Sequence, residues 1–591
     1  MASPPAARTR IPLQDPPPEG WSPCIISPEV ASLKCKDRGV KGVLRLLNQA
    51  LAGDLGREIL ISDPGVEQLL GRLVNGTEDY NFGSLYARVR NLWRRKHLDD
   101  VNKVHSELIK FSDCIDEARK ACVTGDFIHV SGRNSNLSLS GGHTWARRLW
   151  DLRAHRVVPY RFSLGYYNIS ADVHKFALPM FFAVSHSWTS TMSGVDTAVN
   201  GREWLVPLPS GVTLEAIRNE LLHLKAEYVW LDVVCLRQFG VQNEELRKEE
   251  WAVDIPTIHT IYQCAWKVIR YYNGLGVAFK CKGWTGQRHW LRRVWTIQEI
   301  HSQTMSAGLP EGLRAEDLLE QNSEEDGRPL RVYLRSVEIL ESNLAGLYTA
   351  QNLLLIIKEL RERFATKPID KIAACGALLP GALTKIPLYK ECMDVEDAWE
   401  LLVKCMPGHI PCSILWKICT PGEGKCKWRP SWKQLMDDGH ENIRAVTQDR
   451  DEPLGWLHVL DNNCVRQQFG CRLLTGHASL TWDHADDGRL RGLVQYSDRA
   501  VRSLAFAVYA DSKQACRDGT VRLVGNDIRN EKAIDSDRWV PNPTFRYLMV
   551  CKEVKDAQGE MGFEKISVVH VKDIGPSIFQ AEYEAADTIF V

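Results

Sequence analysis

Between residues 181 and 300, short apolar runs alternate with longer stretches of helical period, and this order leaves few folds open. "FFAVSHSW" begins at Phe181 and turns polar at its end, "EYVWLDVVCL" begins at Glu227 and is broken by Asp232, and "WKVIRYY" begins at Trp266. Runs this short and this apolar read as strands buried on both faces. Between them, "LEAIRNELLHL" spaces Leu214, Ile217, Leu221 and Leu224 along one helical face, and "EELRKEEWAVDIPTIHTIYQCA" reads as a helix disturbed at Pro256. "HWLRRVWTIQEI", residues 289–300, supplies the last helix. Strand alternating with helix predicts an α/β domain with a doubly wound parallel sheet, helices covering both faces.

The flanks follow other periods. A chain of 591 residues is too long for one core, so two to four domains are expected. Residues 1–23 are rich in proline and read as a flexible tail. Residues 24–150 form an N-terminal helical region: "GVLRLLNQALAG", "GVEQLLGRLV" and "LYARVRNLWRRKHLDDVNKVHSELIKF" repeat apolar residues every three or four positions. The polar "SGRNSNLSLSGGH" reads as a linker. The α/β domain with a helical extension is placed at 175–385, a connecting segment at 386–435, and a β-rich C-terminal domain at 436–591. Within 175–385, "SAGLPEGLRAEDLLEQNSEEDGRP" reads as an exposed acidic insertion before a long helix, "YLRSVEILESNLAGLYTAQNLLLIIKELRERF". In the last domain the period shortens to two in "RLRGLVQYS", "LAFAVYA", "TVRLVGN", "RYLMVCKEV" and "KISVVHV", with Asp487-Gly488 and Asp518-Gly519 as hairpin turns.

Charge argues against several partners. Lysine plus arginine and aspartate plus glutamate both number 74, so no broad nucleic-acid or anionic-membrane surface is expected. No apolar run approaches the ~18 residues that a membrane span needs. The N-terminus lacks the apolar core of a secretory signal, so the 17 cysteines read as reduced thiols of a cytoplasmic protein. Walker A, H-E-x-x-H and G-x-S-x-G patterns are absent, and "NGLGVAF" has Phe279 where a dinucleotide fingerprint needs its third glycine, so it reads as a turn. Cys405, Cys412, Cys419 and Cys426 stand seven apart, unlike the two-to-four spacing of zinc ligands; neither they nor His409 predict a metal site. Cys235 reads as a small buried hydrophobe.

Three polar residues at the strand ends carry the candidate site. Ligands in open parallel sheets gather beyond the carboxyl ends of the strands, so Ser185, His186 and Asp232 are expected to converge there as substrate-binding groups. The alternatives are a His186 that merely bonds backbone and an Asp232 that caps the next segment or pairs with an arginine such as Arg293.

Taken together, these blocks resemble the fungal heterokaryon-incompatibility (HET) domain family. "FFAVSHSW" resembles its first block, "EYVWLDVVCLRQ" its second, and "IHTIYQCAWKVIRYYNG" with "HWLRRVWTIQE" its third. "RERFATKPIDKIAACGALLP", "PLYKECMDVEDAWELLVKCMP" and "WRPSW" resemble segments that follow, so the likeness runs in patches over about 175–435. His186 stands where many members carry an aromatic ring. The resemblance implies a role in fungal self/non-self recognition, with cell death triggered through protein partners or self-association. It also implies a flavodoxin-like, TIR-like fold, because HET domains are distantly similar to TIR domains. Some TIR domains cleave NAD with a glutamate in a "W-C-x-x-E-L" helix, and "WTIQEI" keeps that spacing from Trp295 to Glu299 without the cysteine.

The resemblance makes Glu299 the candidate catalytic carboxylate, NAD a possible substrate rather than a cofactor, and NAD glycohydrolase the alternative to pure signalling. On one helix, Arg292, Trp295 and Glu299 stand at i, i+3 and i+7 and share a face. Arg292 then meets a phosphate and Trp295 packs beneath the site. The competing use of the same face is an Arg292–Glu299 ion pair worth ~0–1 kcal/mol, with Trp295 in the core.

Overall fold

The computed structural model describes residues 11–18, 24–93, 100–129, 146–163, 165–168, 174–177, 180–239, 243–280, 283, 285–309, 324–325, 328–329, 335, 350–379, 385–418, 421–423, 426–437, 457–460, 464–467, 471–484, 489–499, 501, 503–511, 519–527, 545–555, 559, 561–570, 583–585 and 588–590. The chain divides into two compact units: residues 1–345, 362–380 and 384–392 make the first, and 346–361, 381–383 and 393–591 the second.

In the first unit the N-terminal helices are α1 (Cys35–Leu55), α2 (Val66–Asn75), α3 (Phe82–Val89) and α4 (Val101–Ala121). The third stretch of helical period forms two helices: α3 passes into a 3-10 turn at Arg90–Trp93, and α4 starts afresh with the Asp100 carboxylate capping the amides of Asn102 and Lys103.

The helical region then enters the sheet itself. Strands β1 (Arg148–Asp151) and β2 (Arg156–Pro159) form a hairpin, followed by β3 (Phe181–His186), β4 (Tyr228–Trp230), β5 (Lys267–Tyr271) and β6 (Thr304–Ser306). Their spatial order is β6-β5-β3-β4-β1-β2. The four strands β6, β5, β3 and β4 are parallel, whereas β1 runs antiparallel to both β4 and β2. The expected all-parallel sheet is therefore corrected to a mixed one with an antiparallel edge. All six residues of β3 are buried, as a central strand covered on both faces requires.

The covering helices are α5 (Leu214–His223), α6 (Glu244–Asp254) and α7 (Ile258–Cys264). Thr213 caps α5 by accepting from Ala216 N, and α5 buries Leu214, Ile217, Leu221 and Leu222. The chain breaks between α6 and α7 around Pro256, as the proline predicts. "EYVWLDVVCL" is only partly strand: β4 ends at Trp230, and Asp232 opens a helical turn, Asp232–Cys235. "NGLGVAF" is a turn, with Gly274 at φ +117°, where an added Cβ would lie 2.5 Å from the Thr189 side chain.

The second unit is β-rich. Its long strands are His477–His484, Arg489–Ser497, Leu504–Asp511, Gly519–Asp527, Phe545–Lys555 and Met561–His570, each covering one of the period-two runs or extending that pattern. They pair antiparallel around a core that includes Leu480, Val494, Val508, Leu523, Leu548 and Val550. Gly492 lets neighbours close in, since a Cβ there would meet Leu480 Cδ1 at 2.7 Å and Val508 Cγ2 at 2.8 Å. A helix before the sheet, His409–Lys417, is capped by the buried Lys565, whose Nζ donates to Leu415 O at 2.7 Å and Ile418 O at 2.5 Å. Cys405 ends a separate helix, Val395–Cys405, and Cys412 lies within His409–Lys417, so the seven-residue cysteine spacing spans different elements. Cys419, the Asp487-Gly488 turn, Asp518, the linker at 131–143 and most of the acidic insertion and of the first half of the long helix lie outside the described residues.

Candidate functional site

The carboxyl ends of β3, β4 and β5 make one rim. Parallel register sets Tyr271 beside His186 and Arg270 beside Ser185, and the chain leaves β4 at Leu231 to place Asp232 just beyond. A strand's polar end residues stand where the sheet stops burying both faces, so they gather here.

Two linked pairs occupy the rim. His186 Nε2 lies 2.7 Å from Asp232 Oδ1, and Trp188 Nε1 donates to Asp232 Oδ2 at 3.0 Å. The backbone amide of Val233 also donates to Asp232 Oδ1 at 2.7 Å, so Asp232 caps its own turn as well as holding the histidine. Its partner is therefore not Arg293. Beside this pair, the Ser185 hydroxyl donates a short hydrogen bond to Glu299 Oε2, while Trp290 Nε1 donates to Ser185 Oγ at 2.6 Å. Ser185 is fully buried, and the Asp232 side chain remains 24% exposed, so the rim meets solvent at Asp232.

The charges follow from these contacts. Burial pushes the Glu299 carboxyl up to about 7, against the opposing pull of the Ser185 hydrogen bond and the His186 charge; Asp232 adds to the rise. For His186, burial works downward but the charge and hydrogen bond of Asp232 outweigh it, and the imidazole is held above its ordinary value. For Asp232 burial works upward, and His186 more than reverses it, leaving the carboxyl below its ordinary range. The rim thus holds a His186–Asp232 pair in which each partner favours the charged form of the other, next to a carboxyl that at neutral pH is poised between its two protonation states.

Glu299 reaches Ser185 because residues 289–300 do not form the single helix expected of them. Trp290–Arg292 and Trp295–Glu299 are two 3-10 turns separated by an extended Arg293 at φ −83°, ψ 137°. The break has a cause: Phe364 pairs with this segment, Phe364 O accepting from Val294 N at 3.0 Å and Phe364 N donating to Arg292 O at 2.5 Å. Arg363 adds donations to Arg293 O at 3.0 Å and Thr296 Oγ1 at 2.9 Å. Helix α7 fixes the far end, since His259 Nδ1 lies 2.9 Å from Gln298 O and Gln263 donates to Ile300 O at 2.9 Å.

The bend separates the three residues expected on one face. Arg292 pairs with Glu362 at 3.1 Å, and the Trp295 ring packs edge-on against Tyr389 with centroids 6.2 Å apart. Neither an Arg292–Glu299 pair nor a Trp295 floor under Glu299 forms. Four of the six candidate residues, Ser185, His186, Asp232 and Glu299, come together.

Sequence reasoning missed Trp188, Tyr262, Arg270 and Trp290. Tyr262 donates to Val184 O at 2.9 Å; burial and the adjacent Glu299 hold its phenol far above its ordinary value. Arg270 lies 4.7 Å from the centre of the Trp290 ring. All four lay inside quoted blocks, Trp188 in "FFAVSHSW", Tyr262 and Arg270 in "IHTIYQCAWKVIRYYNG" and Trp290 in "HWLRRVWTIQEI". Cys235, by contrast, is buried and pushed up to about 12 by that burial, which leaves it an inert thiol.

The rim is built on the stretch that matches a known family. Residues 181–283 match the family model described as Heterokaryon incompatibility protein (HET). The chain carries a HET domain. The matched stretch takes in β3 to β5 with Ser185, His186 and Asp232, and ends before Glu299. No curated protein and no solved structure matches the chain. Among the described residues, no group of three or more His, Cys, Asp or Glu is placed to hold a metal ion, and no helix is long and apolar enough to cross a membrane.

Proposed function

We propose that this protein acts in heterokaryon incompatibility, the fungal self/non-self reaction ending in cell death, through a TIR-like signalling unit that works when self-associated. The HET match at 181–283 carries this reading. The strand order supports a flavodoxin-like unit: counted from β3, the parallel strands lie 2-1-3-4, as in doubly wound folds of that type. Full-length protein expressed in a fungal host is expected to kill, and variants that no longer self-associate are expected not to. Killing by a strictly monomeric variant overturns the assembly requirement.

One observation favours a catalytic means to that end: Glu299, with a carboxyl near neutrality, stands at the strand-end rim beside the His186–Asp232 pair. A single well-placed carboxylate is chemically sufficient for hydrolysis of NAD to nicotinamide and ADP-ribose. The C1′–N bond breaks with its electron pair going to the ring nitrogen, so the pyridinium leaves as neutral nicotinamide with no proton required. The ionised Glu299 stabilises the oxocarbenium charge left on the ribose. Water then attacks C1′, and Glu299 accepts its proton before passing it to solvent. Because the ionised form is needed, the rate rises as pH passes through about 7.

The test is nicotinamide release by the full chain, clustered through a fused oligomerisation tag. Release that disappears in Glu299→Gln with unchanged folding supports the site. Release that persists in this variant defeats the assignment to Glu299, and no release in any oligomeric state defeats the enzyme reading while leaving the assembly reading standing.

A further inference from the structure

A second polar feature lies in the same unit, away from the Ser185–Glu299 contact and unused by the reaction above. Helix α4, the start of β1 and the 3-10 turn after β2 border an open cavity of about 260 Å³. Arg119, Arg147, Arg148 and Arg161 line it, with Asp116 as the one carboxylate among the described lining residues. Sequence gives no warning of this: the arginines come from three separate elements, and the chain as a whole is neutral.

Two of the arginines are fixed from behind. Arg147 grips Asp254 through Nε and Nη2, both at 2.9 Å, and Arg148 grips Glu250 through Nη2 at 2.6 Å and Nη1 at 3.0 Å. Such two-pronged pairing holds a guanidinium plane in one orientation and uses only part of its five N–H donors. Arg119 is buried and meets Asp116 at 2.9 Å, but the Asp116 side chain is half exposed. Burial, and then the charge of Arg147, push Arg119 below its ordinary value; Arg161 is likewise lowered, first by burial and then by Arg88. Against burial, Asp254 and Glu250 hold Arg147 and Arg148 above their ordinary values, so the lowering falls on Arg119 and Arg161, and an anion placed beside these two favours their charged forms.

We propose that this cavity binds the diphosphate of a phosphorylated small molecule. Oriented guanidinium forks match phosphate oxygens in geometry and charge. The size fits the same class: about 260 Å³ is below the ~300–1,000 Å³ of pockets that enclose a whole drug-sized ligand, so the cavity takes the diphosphate and leaves the rest of the molecule outside. The proposal stands independently of the reaction assigned to Glu299.

The experiment is isothermal titration calorimetry of the full-length protein with inorganic pyrophosphate and, separately, with ADP. Binding is expected to weaken roughly tenfold in Arg161→Ala and in Arg119→Gln, each of which removes a charge-assisted contact. Asp116→Asn is the diagnostic variant. It removes that carboxylate from the wall, and affinity is expected to rise roughly threefold, an effect that a purely structural role for the cluster does not produce. Thermal melts confirm that each variant is folded; Arg161 and Asp116 are partly exposed, so these two test the idea even where Arg119→Gln unfolds. Tighter binding of ADP than of pyrophosphate assigns a nucleotide, and equal binding assigns phosphate recognition alone. No binding of millimolar pyrophosphate or ADP, or binding untouched by both Arg161→Ala and Asp116→Asn, overturns the proposal.

Discussion

Glu220 and Glu299 are both buried glutamates of the first unit, and both carboxyls are raised by burial, yet their surroundings differ. Glu220 projects from α5 into a closed set of donors: Tyr271 OH at 2.6 Å, Gly308 N at 2.6 Å and Gln14 Nε2 at 3.3 Å. These tie the N-terminal segment, β5 and the chain after β6 to one helix. Glu299 instead faces Ser185 and two groups that themselves titrate, His186 and Asp232. Burial alone therefore does not mark a functional carboxyl. The direct partners of Glu220 are a phenol, a backbone amide and an amide side chain, which hold it in place, with His223 acting only through its charge. Glu299 has a hydroxyl partner and feels the His186–Asp232 pair, the kind of setting in which perturbed carboxyls are functional candidates.

The contrast breaks most visibly on truncation. Glu220→Ala leaves the Tyr271 hydroxyl and Gly308 amide buried without acceptors, and is expected to cost about 4 kcal/mol in urea unfolding. A loss below about 1 kcal/mol removes the reading of Glu220 as a tie.

Next in size is a pH effect that belongs to Glu299. Its folded value, about 7, exceeds the ordinary 4.5, so the folded state keeps a proton that the unfolded chain has released. The stability this group contributes is whole below pH 4.5 and is lost as pH rises through 7, a decline of roughly 3 kcal/mol. Urea melts of wild type and Glu299→Gln at both ends of that window isolate it: the variant is expected to lack this decline and to be the more stable of the two at alkaline pH. Equal slopes in the two proteins contradict the burial of an ionisable Glu299.

Activity follows. Glu299→Gln is expected to lower nicotinamide release by roughly 100-fold, about 2.7 kcal/mol of barrier, without loss of folding. Smaller again is Asp232→Asn, which strips His186 of its charge partner and is expected to cost about 2 kcal/mol. Asp232 is lowered from 3.8, so its contribution is present above that pH and lost below it; His186 is raised from 6.5, so its contribution is present below that pH and lost above its folded value. The cost of Asp232→Asn is therefore greatest between those two values and shrinks towards alkaline pH. Smallest is Arg292→Ala: its partner Glu362 is largely exposed, so stability is expected to change by ~0–1 kcal/mol and nicotinamide release not at all. A large loss of release in Arg292→Ala would return Arg292 to the site.

Much of this was legible before the fold. β3 and β5 announce themselves because a central parallel strand must be apolar on both faces, and α5 because one face repeats every three or four residues. The hairpin β1–β2 did not, since "RRLWDLRAHRVVPY" carries arginines that find buried partners only in the folded chain: Arg148 on Glu250, and Arg156 on Asn81 and the carbonyl of Ala31. β6 was missed because it is a three-residue edge strand with its first residue exposed. In the site, Ser185, His186 and Asp232 followed from their place at strand ends. Arg292 and Trp295 were expected on one face with Glu299 because the sequence carries a helical period through Arg293, where Phe364 imposes an extended break.

By itself, the order of apolar runs determined that residues 181–271 would alternate strand and helix, and that polar residues ending those runs would share one rim. Local periodicity suffices for this, because burying both faces of a strand is a demand made on neighbouring residues. Which carboxyl faces a histidine, which arginines converge on a cavity and where a helix bends were decided only in the tertiary structure. Those outcomes depend on contacts between residues far apart in the chain, Phe364 with Val294 or Ser185 with Glu299, whose pairing no local pattern encodes.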